Sequence, residues 1–185
     1  AYIVEDSTSQ VIFASAELAQ TRDLAALIPN CKHRYILGDA TSAFVGVYED
    51  FEQAISAQPK SPIQDERAGD TMLYSSGTTG RPKGIKRPLS GAHVSEGLPG
   101  VEVNNPYGMN ADTVYLSPAP LYHAAQFGFC TSALALGGTV VMMKSFDPQL
   151  ALGYIEQYSI THSQWVPTMF IRMLKLDEDI RSQYD

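Results

Sequence analysis

The stretch Tyr74–Gly84 reads Tyr-Ser-Ser-Gly-Thr-Thr-Gly-Arg-Pro-Lys-Gly, a mixture that neither a helix nor an ordinary strand favours. Gly77 and Gly80 permit turns in which successive backbone N–H groups point into one concavity, a nest for anionic oxygens. Ser75, Ser76, Thr78 and Thr79 add hydroxyl donors, Pro82 restricts the exit of the loop, and Lys83 supplies a point charge. The chain carries 13 Lys and Arg against 20 Asp and Glu, yet between Thr71 and Ser95 there is no acid while Arg81, Lys83, Lys86 and Arg87 all fall there. A basic window in an acidic chain suits a polyphosphate. A solvated surface loop has the same composition, and it is the order of the residues that favours phosphate. The run is not the kinase-type G-x-x-x-x-G-K-[ST] loop, because Gly77 and Gly80 are three apart and Lys83 follows Pro82.

The elements that must position this loop alternate. Gln10 to Phe13 reads as a strand, followed by a helix capped by Ser15 with Leu18, Ala25 and Ile28 on one face. Arg34 to Leu37 reads as the next strand, Tyr48 to Ala57 as a helix, and Thr71 to Tyr74 as the strand entering the loop, which "KGIKRP" leaves as another. Beyond a stretch rich in Gly, Pro and Asn, the rhythm resumes with a strand at Thr113 to Ser117. An all-round apolar, hence buried, helix over Ala124 to Leu136 and the strand "TVVMM" follow. Asp147-Pro148 then caps a helix, "ITHSQWV" reads as a strand, and Thr168 to Leu176 as a last helix. This predicts an α/β fold of layered, mainly parallel sheets with flanking helices. The expected division is a first half over 1–96 carrying the loop at 74–84, a linker over 97–110, and the start of a second half over 111–185.

An apolar fraction of 44% and a charged fraction of 18% are those of a globular chain. A net charge of -7 argues against nucleic acid and anionic membrane as partners, and no apolar run has the length of a bilayer span. Two distant cysteines, Cys31 and Cys130, fit buried, reduced thiols in a cytoplasmic protein better than a disulfide framework or a metal site. His33, His93 and His162 have no partner pattern, and the acidic run Asp177 to Asp179 reads as a solvated helix end.

Tyr74–Gly84 resembles the phosphate-loop signature of the adenylate-forming superfamily: acyl-CoA synthetases, luciferases and peptide-synthetase adenylation domains. "LSPAPLYHAAQFGF" is similar to that family's strand, proline turn, aromatic and histidine, with Gln126 standing where the pattern His-x-x-Gly has glycine. The segment from Leu136 to Leu174 also runs like the family's, and the detail of "GTTGRPKGIKRPL" and "THSQWVPTMF" is closest to bacterial fatty-acid-type acyl-CoA synthetases. The resemblance covers essentially the whole chain. It implies an internal segment of the large N-terminal domain, since the family's later nucleotide motifs and its mobile C-terminal domain have no counterpart in these residues.

The resemblance implies a reaction in two halves. A carboxylate attacks the α-phosphate of ATP to give acyl-adenylate and pyrophosphate, and the thiol of CoA then displaces AMP. It implies Mg2+ as a cofactor, with the carboxylic acid, ATP and CoA as small-molecule partners. Ser75, Ser76, Gly77, Thr78, Thr79, Gly80 and Lys83 would wrap the phosphates, with Lys83 the catalytic cation. His123 would be a catalytic gate or contact beside the acyl site, or alternatively a hydrogen-bonded structural histidine. Trp165 would line the acyl pocket or belong to the core. The rival readings are an adenylation domain that passes its acyl group to a carrier protein, and a non-catalytic nucleotide-binding module. The segment alone is expected to lack full turnover.

Overall fold

The computed structural model describes residues 1–21, 23–38, 44–75, 80–96 and 105–184. They fall into two compact units, Ala1–Gly91 and Ala92–Asp185.

In the first unit, β1 (Val11–Ser15), β2 (His33–Leu37) and β3 (Glu49–Asp50) form a parallel sheet in that order. Helix α1 (Tyr2–Asp6) precedes it, α2 (Ala16–Thr21) and α3 (Leu24–Leu27) connect β1 to β2, and α4 (Phe51–Ser56) follows β3. The inward residues Ala14, Ile36 and Phe44 are buried, with Ala19, Leu24 and Tyr48 packed against them. Ser15 accepts a hydrogen bond from the Leu18 amide, so its hydroxyl opens α2 as its residue type suggests. The single helix expected after Ser15 is instead two, because the Asp23 carboxylate accepts from the Ala26 amide and starts a new helix. Likewise Asp50 caps α4 through the Gln53 amide, which places residues 49–50 in the sheet and not in the helix. Strands β4 (Leu73–Ser75) and β5 (Lys83–Ile85) form a separate antiparallel hairpin.

In the second unit, β6 (Val114–Ser117) is the centre of a parallel sheet, flanked by β7 (Thr139–Met142) and β8 (His162–Ser163). Helices α5 (Ala124–Ala135), α6 (Pro148–Gln157), α7 (Pro167–Leu174) and α8 (Glu178–Arg181) complete it. Successive residues of β6 point to opposite faces. Tyr115 packs with Met109, Cys130 and Ala133, while Leu116 packs with Met143 and Ala151, so both faces of β6 are covered.

Asp147 accepts from the Leu150 amide and Pro148 takes the first helical position of α6, as the sequence implies. Helix α5 differs from expectation. Gln126, Cys130 and Ala133 are buried along one stripe, whereas Leu134 is 59% exposed, because the unit packs only one face of this helix. The strand expected over "ITHSQWV" pairs only at His162–Ser163, since the Gln164 carbonyl is taken by the Gln126 side chain and Pro167 begins a helix. Of the stretch expected to be a linker, residues 97–104 lie outside the described residues. Asn105 closes a turn there by donating to the Met109 carbonyl and accepting the Met109 amide.

Candidate functional site

The β4–β5 hairpin carries the phosphate-loop candidates. Its register pairs Tyr74 with Gly84 and Ser75 with Lys83. Residues directly opposite in an antiparallel pair project to the same face, and neighbours along a strand to opposite faces. Ser75 and Lys83 therefore share one face at the mouth of the loop, both exposed, and Tyr74 occupies the other.

What holds this hairpin is legible in chemical terms. A β-carbon at Gly84 would lie 2.4 Å from Met72 Cε and 2.8 Å from Tyr74 Cζ, so the tyrosine ring lies directly over the glycine. The Tyr74 hydroxyl donates to Asp6 Oδ2 at 2.7 Å, which pins the hairpin to α1. Partial burial, reinforced by the Asp6 carboxylate, pushes this phenol up to about 12. From the same helix, the Tyr2 hydroxyl donates to the Pro82 carbonyl at 3.1 Å, and the Arg81 guanidinium lies 5.7 Å from the Tyr2 ring centroid. Arg81 is thus occupied by a cation–π contact on the α1 side. Gly80 has φ +94, a left-handed conformation that glycine adopts without strain. Ser76, Gly77, Thr78 and Thr79, the middle of the candidate loop, lie outside the described residues.

The remaining candidates are in the second unit. His123 is the residue preceding α5, follows the Pro118-Ala119-Pro120 turn, and is exposed. Its ring sits 4.4 Å from that of Tyr122 and makes no hydrogen bond among the described residues. His162 is the opposite case: Thr161 Oγ1 lies 2.8 Å from its Nδ1 and the Tyr107 carbonyl 3.0 Å from its Nε2, so both ring nitrogens are partnered.

Trp165 has two surroundings at once. It packs with the Leu116 cluster, meeting Phe146 at a ring separation of 6.1 Å, and it also lines a cavity of about 300 Å³. Aromatic side chains of Tyr107, Tyr115, Phe129 and Phe170 share that lining with Met109 and the 162–164 segment. His123 is not among the lining residues.

Sequence reasoning did not assign Gln126, although its departure from the family's glycine was visible. It is 2% exposed and fully engaged. Its Oε1 accepts from Ser117 Oγ at 3.1 Å and from the Tyr115 hydroxyl at 3.4 Å. Its Nε2 donates to the Gln164 carbonyl at 2.9 Å and to Gln164 Oε1 at 2.7 Å. One buried amide therefore ties β6, α5 and the segment after β8 together, the arrangement a buried polar group requires. Burial raises the Tyr115 phenol and the Cys130 thiol beside it.

Comparison with known proteins agrees with this architecture. The family model described as AMP-binding enzyme matches residues 1–185. The chain is 32% identical over 112 residues to 4-hydroxybutyrate–CoA ligase 2 of Metallosphaera sedula, a match covering 60% of this chain and 20% of that protein. It is 38% identical over 100 residues to a feruloyl-CoA synthase of an Amycolatopsis species, covering 54% of this chain and 20% of the relative. The amide bond synthetase McbA of Marinactinospora thermotolerans superposes with a TM-score of 0.71 at 21% identity over 98% of this chain and 34% of its own. The N-terminal domain of FACL13 from Mycobacterium tuberculosis gives 0.67 at 21% identity over 100% of this chain and 44% of its own. The matched stretch is thus about a fifth of the length of these curated relatives. A family model that spans every residue, on a fold shared with solved members, places the chain in the AMP-binding, adenylate-forming enzyme family, with the fold of its N-terminal domain.

Proposed function

We propose that this chain is the phosphate-gripping and acyl-binding part of an AMP-forming acid–CoA ligase. The observation that carries the reading is the hairpin register, which sets Ser75 and Lys83 side by side at the two ends of a segment whose sequence is rich in Gly and Thr. Such a sequence has backbone N–H groups and hydroxyls to offer the β- and γ-phosphates of ATP, and Lys83 neutralises charge on the departing pyrophosphate. No general base is required, because a carboxylate is ionised near neutral pH. Among the described residues no three of His, Cys, Asp or Glu gather as a metal-ligand group.

In the second unit, the aromatic cavity is the acyl site and Trp165 is its contact. His123, whose ring makes no hydrogen bond among the described residues and which stands at the start of α5, contacts the reacting end of the substrate. The curated relatives named for 4-hydroxybutyrate and ferulate support a carboxylic acid as substrate and CoA as acceptor, and they widen the panel beyond fatty acids. The exposed apolar side chains Leu134, Ile171 and Leu174 support a longer protein that covers them, so that the 185 residues alone lack full turnover.

The test is carboxylate-dependent pyrophosphate release by the complete protein, with and without CoA. CoA-dependent thioester formation is expected. Adenylation that ignores CoA would favour transfer to a carrier, and no adenylation with any acid would leave only nucleotide binding. Replacing Lys83 with Ala is expected to lower kcat/KM for ATP roughly 10–100-fold, the loss of one charge-assisted contact.

A further inference from the structure

The cavity beside Trp165 is not uniformly apolar, and the exception is specific. Gln164 lines it, and its side chain is held at both ends. Its Oε1 accepts from Gln126 Nε2, and its own Nε2 donates to the Trp165 carbonyl at 3.2 Å. An amide nitrogen has two N–H donors, and this one leaves the second uncommitted among the described residues. The side chains of the two residues before it on the same segment are already engaged. Ser163 donates to the Leu116 carbonyl, and both nitrogens of His162 are partnered.

We propose that Gln164 is a specificity-determining residue and Gln126 its positioning residue, and that together they select an aromatic acid whose ring carries an oxygen acceptor. This inference rests on the reading of the cavity as the acyl site. Flat aromatic walls favour a ring over a flexible alkyl chain. A half-buried donor left unpaired by a purely hydrocarbon substrate discriminates against it more than a missing methylene would. Gln126 matters because it is the clamp. Its amide reaches across 38 residues of sequence to fix the Gln164 side chain, while Ser117 and Tyr115 hold the clamp itself in place. Glycine at position 126, as in the family pattern, cannot do this.

Trp165, the chain's single tryptophan, reports on the cavity through its emission. The experiment titrates the 185-residue chain with 4-methoxybenzoate, with its oxygen-free isostere 4-ethylbenzoate, and with decanoate. The expected result is roughly 5- to 10-fold tighter binding of 4-methoxybenzoate than of 4-ethylbenzoate, with decanoate weaker than both. Gln164→Met keeps the volume, leaves Gln126 bonded to the Gln164 carbonyl, and is expected to reduce the preference to about 1-fold while 4-ethylbenzoate still binds. Gln126→Gly is expected to lose the same preference ratio, a readout that loss of stability alone does not shift.

Equal binding of the two isosteres, tighter binding of decanoate, or a preference that survives Gln164→Met overturns the assignment of the amide pair and leaves the acyl role of the cavity intact. If no acid changes the emission, the cavity is not an acyl site and the inference falls with it.

Discussion

At the scale of single residues, Tyr74, Gly84 and Asp6 hold the β4–β5 hairpin. Tyr74 and Gly84 form a matched pair, because the ring fills the space that a side chain at Gly84 would need. Gly84→Ala is therefore expected to displace a ring that Asp6 holds from its far end, costing about 1–3 kcal/mol in unfolding by urea. The Met72 side chain can swing away, so the cost arises at Tyr74. This pairing was only half legible. The motif gave both residue types, but the reason for them required the register. Lys83 was assigned as the phosphate cation from its place in the motif, and the hairpin gives that proposal a neighbour in Ser75. Gln126 was not legible, since its partner Gln164 is far away in sequence and nothing in local pattern links them.

At the scale of elements, local signals were read well and long-range ones poorly. Ser15, Asp147 and Pro148 act where they stand, through hydrogen bonds or backbone angles within one turn, so their helices begin where the sequence places them. The break between α2 and α3 was missed because an apolar face continued past Asp23, whose carboxylate starts the second helix. The strand after Ile160 was drawn too long because its continuation is consumed by side-chain bonds from α5 and by Pro167. The burial of α5 was overstated, since apolar composition on every side does not require a partner on every side. If the caps contribute as their geometry suggests, Asp147→Ala is expected to lower stability by about 1 kcal/mol, read as a shift in the denaturant midpoint. Asp147→Asn should recover most of it.

At the scale of the whole molecule, ionisation couples to folding at alkaline pH. Tyr48, Tyr74 and Tyr115 each hold their proton more tightly in the folded chain than the ordinary value of 10.0, in each case chiefly through burial. The stability they contribute is fully present below pH 10 and is lost as pH rises through the folded values, about 12 for Tyr74. Unfolding midpoints are expected to fall across pH 10–12, and Tyr115→Phe to flatten that slope. The two thiols follow the same logic of burial: Cys31 and Cys130 are 1% and 5% exposed. A thiol reagent is expected to modify them at the rate of unfolding, and instant labelling of the native chain would contradict their placement.

The central claim is that the segment between Ser75 and Lys83 grips the triphosphate of ATP. Its most direct test is a crystal structure of the complete protein that carries this chain, bound to a non-hydrolysable ATP analogue. The account predicts the β- and γ-phosphate oxygens within hydrogen-bond distance of the backbone amides and hydroxyls of residues 75–80, with Lys83 Nζ in the same cluster. A triphosphate seated elsewhere, with this hairpin untouched, would contradict it.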